Sequence, residues 1–179
     1  MNDHDLEKLK YPIGRFQPLD SVDEKQIEQW ISALADFPGR LANLVANLND
    51  QQLNLVYRPG GWSIRQVIHH LADSHINAYV RVKLAITENN PHIRPYDEAS
   101  WAECEEARLG DIAVSLALLA NLHQRWALFL STLKFSDFDR IYFHPEHQKT
   151  FNLKYLLGLY VWHGEHHLAH ISGTLERHH

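Results

Sequence analysis

Four stretches of the chain repeat apolar residues at intervals of three and four, the spacing that places side chains on one face of a helix. These intervals predict four long helices, at residues 22–48, 64–88, 111–133 and 153–176. Ser21 and Ser63 each open a capping box, the Ser-x-x-Glu or Ser-x-x-Gln pattern that commonly starts a helix. Pro38 falls inside the first helix, where its missing backbone N–H predicts a bend.

The connections between these helices are long. Residues 1–20 contain two prolines and no helical period, so we expect an extended N-terminal arm. Residues 91–110 form a loop with one helical turn near 98–106, and residues 136–151 are irregular, with a short hairpin from Ile141. The pattern predicts an all-α four-helix bundle in one domain, residues 1–179. Spacing alone leaves open whether it runs up-down-up-down or contains crossover connections.

Composition narrows the functional classes. The formal net charge of −5 disfavours nucleic acid or an anionic membrane as a main partner. Cys104 is the single cysteine, so no internal disulfide is possible and a reducing compartment fits. The first ten residues lack the apolar core of a signal peptide, and no apolar run is long enough to span a membrane. We therefore expect a soluble cytoplasmic protein.

Histidine is the unusual residue, with 14 in the chain. The last predicted helix contains His163, His166, His167 and His170, which form two pairs at i,i+4 spacing. Two imidazoles one helical turn apart can bind one divalent transition metal. At 100° per residue, His167 lies near the middle of the apolar stripe and His163 at its edge. His166 points away from the stripe, so we expect it to be solvated.

The second predicted helix offers a third ligand but does not say which. His75 lies on its apolar stripe, His70 at the edge and His69 outside. A single histidine on such a face is most often hydrogen-bonded in the core. Several imidazoles that converge in one core need a common partner, because burying unpaired polar groups is costly. The set therefore favours a metal site that includes His163 and His167, with His70 and His75 both open.

Several segments resemble one known family. Residues 60–75 (GGWSIRQVIHHLADSH) closely resemble the second helix of the DinB/YfiT-like family. The resemblance runs nearly end to end, through YPIG at 11–14, IRPYDE at 93–98, SLALL at 115–119 and LGLYVWH at 157–163.

This resemblance implies a four-helix bundle with up-down-down-up order, long crossover connections and a homodimer. It also implies one divalent ion per subunit, Ni²⁺ or Zn²⁺, on His70, His163 and His167, and so favours His70 over His75 by analogy. The implied activity is metal-dependent hydrolysis of a small-molecule substrate. One alternative is transfer of a low-molecular-weight thiol, such as bacillithiol or glutathione, onto an electrophile. The other is a non-catalytic metal-binding dimer. Gly164 and Glu165 depart from the bulkier or basic residues expected there.

No residue is assigned as catalytic, but several are candidates. Asp73 and Tyr160 lie three residues from His70 and His163, where either could orient a ligand imidazole. Arg94, with its loop neighbours Tyr96 and Asp97, could line the mouth of a pocket. Nothing near Cys104 in the sequence supplies a base, so a nucleophilic role for its thiol is disfavoured. The chain has no zincin H-E-x-x-H motif.

Overall fold

The computed structural model describes residues 3–178, and four long helices dominate it. These helices are α2 (Glu24–Val45), α4 (Ile64–Thr87), α7 (Ile112–Leu130) and α8 (Leu153–Arg177). The shorter helices are α1 (Asp3–Lys10), α3 (Asp50–Leu53), α5 (Glu98–Ala102) and α6 (Glu105–Leu109). A 3₁₀ turn (Phe135–Asp139) precedes two strands, β1 (Ile141–His144) and β2 (Lys149–Asn152). The predicted all-α four-helix bundle is confirmed.

The helices run in up-down-down-up order. Helices α2 and α4 each pack against both α7 and α8, so α2 and α4 lie diagonally across the bundle. One layer of the core combines the first half of α2 and the start of α8 with the ends of α4 and α7. The other layer combines the opposite ends of the same four helices. Helices α2 and α8 therefore point one way, and α4 and α7 point the other.

Because α4 and α7 are parallel neighbours, the chain must cross the length of the bundle between them. This crossover contains α5 and α6, two short helices where the sequence predicted one turn, and both pack on α4. Two side chains of α4 hold it in place. Arg65 Nη1 donates to the carbonyl of Gly110 at 2.7 Å, and Gln66 Nε2 donates to that of Ala102 at 2.8 Å.

The helix starts follow local capping chemistry. The predicted box at Ser63 is present, with reciprocal bonds to Gln66. The box predicted at Ser21 is wrong: α2 begins two residues later, where the Asp23 carboxylate accepts the backbone N–H of Gln26 at 2.8 Å. An aspartate at the N-cap satisfies the same orphan donors and suits the positive end of the helix dipole. Helix α2 then continues through Pro38.

The hairpin between α7 and α8 was predicted correctly, whereas the N-terminal segment was not. The predicted hairpin is confirmed, with β1 and β2 antiparallel and Ile141 opposite Asn152. The extended arm is wrong for Asp3–Lys10, which form helix α1. The carbonyls of Leu9 and Lys10 at its last turn accept a bond from His170 of α8, a tertiary contact that spacing within the arm does not reveal.

Within residues 3–178, no helix is long and apolar enough to span a membrane.

Candidate metal centre

Three histidines from neighbouring helices converge where the two core layers meet. His70 projects from α4, and His163 and His167 project from successive turns of α8. One ring nitrogen of each lies within 4.8 Å of the others. The closest pair is His70 Nε2 and His163 Nε2, 3.2 Å apart. The i,i+4 spacing on α8 and the packing of α8 against α4 together produce this arrangement.

All three rings are neutral at physiological pH. Burial, with a smaller contribution from the neighbouring His166 imidazole, lowers the pKa of His70 from its ordinary 6.5 to about 4. Burial and the neighbouring imidazoles hold the pKa values of His163 and His167 well below that ordinary value. A neutral imidazole has one unprotonated nitrogen, which is the form that binds a metal.

The donor set fits a divalent transition metal. Two nitrogens that each lie about 2.0–2.1 Å from a tetrahedral ion are about 3.3 Å apart. The 3.2 Å between His70 Nε2 and His163 Nε2 is close to that separation. Imidazole nitrogens without carboxylates suit zinc or nickel rather than magnesium or calcium.

A second histidine group lies beside the first and shares His167 with it. Its other members are His166 and His170, and within the described residues no further group of metal-ligand side chains is this close. His170 Nε2 bonds to the carbonyls of Leu9 and Lys10, at 3.0 and 3.2 Å. Because a carbonyl only accepts, the N–H of neutral His170 is committed to α1, and its Nδ1 faces His167 Nδ1 at 3.3 Å.

The prediction that His166 is solvated is wrong. Its side chain is buried, stacked 4.5 Å from the Trp162 ring, with Tyr11 6.0 Å away on the N-terminal segment. Its Nδ1 is buried without a hydrogen-bond partner among the described residues. The prediction failed because helical periodicity describes the faces of one helix only, whereas Tyr11, from outside α8, packs near this ring.

His75, the alternative to His70, lies behind His163 rather than beside it. Its Nε2 is 3.2 Å from His163 Nδ1, and its Nδ1 is 2.7 Å from Nε2 of His123. His123 Nδ1 is in turn 2.6 Å from the carbonyl oxygen of Leu34. Sequence reasoning missed His123, although it falls four residues after the buried Leu119 on α7, a spacing that predicts an inward side chain.

Two cavities meet at His163. One, of about 580 Å³, contains all five α4 and α8 histidines of the two groups and is walled by residues that include Tyr57, Trp62 and Lys10. The other, of about 520 Å³, includes Ser74, Arg81, Tyr96, His144 and Tyr160. Glu98 and Ala99 of α5 line both cavities, so the crossover connection forms a boundary between them.

The second cavity has polar atoms without partners. Arg81 Nε, the Tyr96 hydroxyl and His144 Nδ1 are buried without a hydrogen-bond partner among residues 3–178. Buried polar groups are nearly always paired, so three orphans on one cavity indicate a surface that is completed by a ligand or water.

Of the two candidates that lie three residues from a histidine of the group, Tyr160 packs beside His163, whereas Asp73 lines neither cavity. Tyr160 is buried, its hydroxyl accepts a 3.4 Å bond from Ser74, and its ring centroid is 5.5 Å from that of His163. Asp73 lines neither cavity, and burial together with Glu106 raises its carboxyl pKa to about 6.

Among the candidates in the loop between α4 and α5, two line a cavity and one does not. Tyr96 and Asp97 line the second cavity, and the Asp97 side chain also caps α5. Arg94 is exposed and lines neither cavity. Cys104 is exposed, and its thiol donates to the carbonyl of Ser100 at 3.6 Å.

The fold and the site together define the class of this protein: an up-down-down-up four-helix bundle in which histidines of two adjacent helices converge on a cavity. Residues 26–171 match the model of the DinB superfamily, and the chain belongs to this family. It is 48% identical over 169 residues to "Putative metal-dependent hydrolase YfiT" of Bacillus subtilis, covering 94% of this chain and 95% of that one. It is 49% identical over 168 residues to "Putative metal-dependent hydrolase OB0782" of Oceanobacillus iheyensis, covering 94% of this chain and 96% of that one.

The solved structure of YfiT from Bacillus subtilis superposes with a TM-score of 0.94 at 46% identity, covering 96% of this chain and 98% of that one. That protein is described as "a probable metal-dependent hydrolase with an unusual four-helix bundle topology". The family resemblance and fold predicted from the sequence are thereby confirmed.

Proposed function

We propose that this protein is a metal-dependent hydrolase in which His70, His163 and His167 hold one Zn²⁺ or Ni²⁺. The observation that carries the proposal is the convergence of three neutral imidazoles at the wall of a cavity. The descriptions of the relatives support the same class of reaction. Three protein ligands are typical of catalytic zinc sites, whereas structural sites are closed by four.

Bound in this site, such an ion supplies Lewis-acid chemistry, because it lowers the pKa of a water or thiol at an open position. The chain's own residues hold and surround the substrate. Trp62 packs 4.6 Å from the His70 ring and restricts its orientation. Arg81, Tyr96 and His144 offer unpaired polar atoms to the polar groups of a substrate.

Glu98 is the carboxylate that we propose as proton acceptor. It is exposed but lines both cavities, and partial loss of hydration there, with Glu146 and Asp97 nearby, raises its pKa. A raised pKa brings a carboxylate closer to the pH at which it accepts and returns protons efficiently.

One observation favours the thiol transferase alternative. Two separate cavities meet at His163, and a transfer between a thiol and an electrophile needs space for two organic reactants. Hydrolysis needs space for one reactant and a water. The second cavity therefore keeps transfer of a low-molecular-weight thiol as the second candidate function.

The test begins with metal analysis of protein that is purified without a histidine tag. We expect about one zinc or nickel per chain, and hydrolysis of members of an ester and amide panel that chelation abolishes. His163→Ala should lose the metal and the activity while circular dichroism still shows a folded bundle. Turnover only with a thiol plus an electrophile would replace hydrolase by transferase. Bound metal with no turnover in either panel would favour a non-catalytic site.

The homodimer and the cytoplasmic location stay predictions. Sedimentation equilibrium tests the first, since a dimer has twice the 20.8 kDa of the single chain.

A further inference from the structure

We propose that His75 and His123 are positioning residues that fix the tautomer of His163, so that its Nε2 is the nitrogen presented to the metal. The proposal rests on the proposed ligand role of His163. Its elements are a chain of hydrogen bonds, the closed surroundings of that chain and the residue that anchors it.

The chain of hydrogen bonds has only one consistent direction. The Leu34 carbonyl can only accept, so His123 Nδ1 carries the proton in their 2.6 Å bond. A neutral imidazole has one N–H, so His123 Nε2 must accept, and His75 Nδ1 donates to it at 2.7 Å. By the same rule His75 Nε2 accepts from His163 Nδ1 at 3.2 Å. His163 Nε2 is then left with its lone pair, facing His70.

The series of hydrogen bonds ends on the Leu34 carbonyl, which is free to accept because of Pro38. In an α-helix the carbonyl of residue 34 accepts the N–H of residue 38. Residue 38 is a proline, which has no N–H, so the Leu34 carbonyl lacks its partner within α2. His123, from the neighbouring helix α7, supplies the missing donor. Pro38 therefore creates a buried acceptor at the level of the metal centre.

The surroundings exclude competing partners. His75 and His123 are both 0% exposed. The Phe37 ring stacks on His75 with centroids 5.3 Å apart and lies 5.4 Å from His123. Trp126 and Tyr160 contact the His75 ring edge-on. Any other tautomer of His123 would leave the Leu34 carbonyl without a donor in a dry core.

This arrangement serves the metal site in a known physical way. A histidine ligand normally donates its other N–H to an acceptor, which fixes the ring and raises its basicity. His75 is that acceptor for His163, and His123 sets the tautomer of His75. His75 lies on α4 and His123 on α7, so these hydrogen bonds tie His163 of α8 to both helices and, through Leu34, to α2.

The test compares His123→Leu with His123→Gln. Leucine removes both the donor and the acceptor, whereas the glutamine amide keeps one of each and is the conservative variant. In metal-free protein with ¹⁵N-labelled histidine, NMR reports which ring nitrogen carries the proton. We expect the Nδ1–H tautomer at His163 in the wild type and in His123→Gln, and a mixture of tautomers in His123→Leu.

Zinc affinity, measured by competition with a chromophoric chelator, is the second readout. We expect it to fall about 10- to 100-fold in His123→Leu, and by less than about threefold in His123→Gln. Thermal melts confirm that each variant is folded; should His123→Leu fail to fold, the wild-type tautomer and the His123→Gln affinity still decide. An Nε2–H tautomer at His163 in the wild type would overturn the proposal. So would equal zinc affinity in folded His123→Leu.

The failure of this proposal differs from the failure of the proposed function. The tautomer is read without metal, and zinc affinity is read without turnover. A wild type that binds no zinc or nickel would contradict the metal-dependent function even with the Nδ1–H tautomer present at His163.

Discussion

His70 and His166 distinguish the two histidine groups, because each belongs to only one of them. We predict that His70→Ala lowers zinc affinity at least about 100-fold, since it removes one of the three proposed ligands. His166→Ala is the matched control, because His166 is a buried imidazole one residue from the proposed ligand His167, and it should leave affinity within about threefold. Competition titration against a chelator measures both.

A reversed order, with His166→Ala losing zinc and His70→Ala keeping it, would place the ion on the second group. His167→Ala cannot make this distinction, because His167 belongs to both groups.

At this scale the sequence predicted the converging residues better than their surroundings. The i,i+4 pair on α8 follows from helix geometry alone, and so does the inward position of His75, which is 0% exposed. Burial, however, does not identify a metal ligand: His75 is deeper than His70 but contacts the back of His163. Helix periodicity does not separate these two positions; the family resemblance favoured His70, and the packing of α4 against α8 brings His70, not His75, together with both His163 and His167.

At the scale of elements, α8 packs tightly against α2 at Gly164. A Cβ at this position would lie 2.9 Å from ring atoms of Phe37, which is buried and stacked on His75. Alanine normally stabilises a helix by about 1 kcal/mol relative to glycine. Overpacking a core costs about 1–3 kcal/mol, so we predict a net loss of up to about 2 kcal/mol for Gly164→Ala.

Gly39 in α2 provides the control, because a Cβ there meets nothing within 4 Å. Gly39→Ala should raise the free energy of unfolding by about 0.5–1 kcal/mol. Urea unfolding of both variants gives the comparison. A stabilised Gly164→Ala would mean that Phe37 moves freely and does not clamp the two helices.

The long helices were predictable because each buries one stripe over many turns, which makes the period clear. Helix α1 was not, since it is only eight residues long and its last carbonyls are satisfied by His170 of another helix. The predicted start of α2 was displaced for a different reason: Ser21 and Asp23 lie close together, and both are residue types that favour the N-cap.

The whole molecule buries an unusual number of neutral histidines, which makes its stability depend on pH. Burial lowers the pKa values of His70, His123, His166 and His170 from 6.5 to about 4, and the pKa values of His75, His163 and His167 shift in the same direction. Between these values the unfolded chain binds protons that the folded chain does not. Stability must therefore fall as pH drops from about 6.5 towards 4.

For the metal-free protein we predict a loss steeper than about 1.4 kcal/mol per pH unit between pH 6 and 5, which corresponds to more than one proton. Asp73, whose pKa is raised to about 6, opposes this by at most one proton. Urea unfolding from pH 5 to 8 measures the slope, with a plateau expected above pH 7.5. A flat profile below pH 7 would show that these rings are charged in the folded state.

The order of the helices was the part of the whole fold that spacing could not give. Apolar stripes show which face of a helix is buried, but not which helices are neighbours. The resemblance of residues 60–75 and the other segments to a known family supplied the up-down-down-up order. In the structure it follows from the crossover between α4 and α7, which α4 holds through Arg65 and Gln66.

An anomalous difference map of crystals grown with zinc, recorded at the zinc edge, tests the metal centre most directly. We predict one peak per chain, about 2.0–2.1 Å from Nε2 of His70, His163 and His167. A peak bound by His166 and His170 instead, or no peak at any histidine, would contradict it.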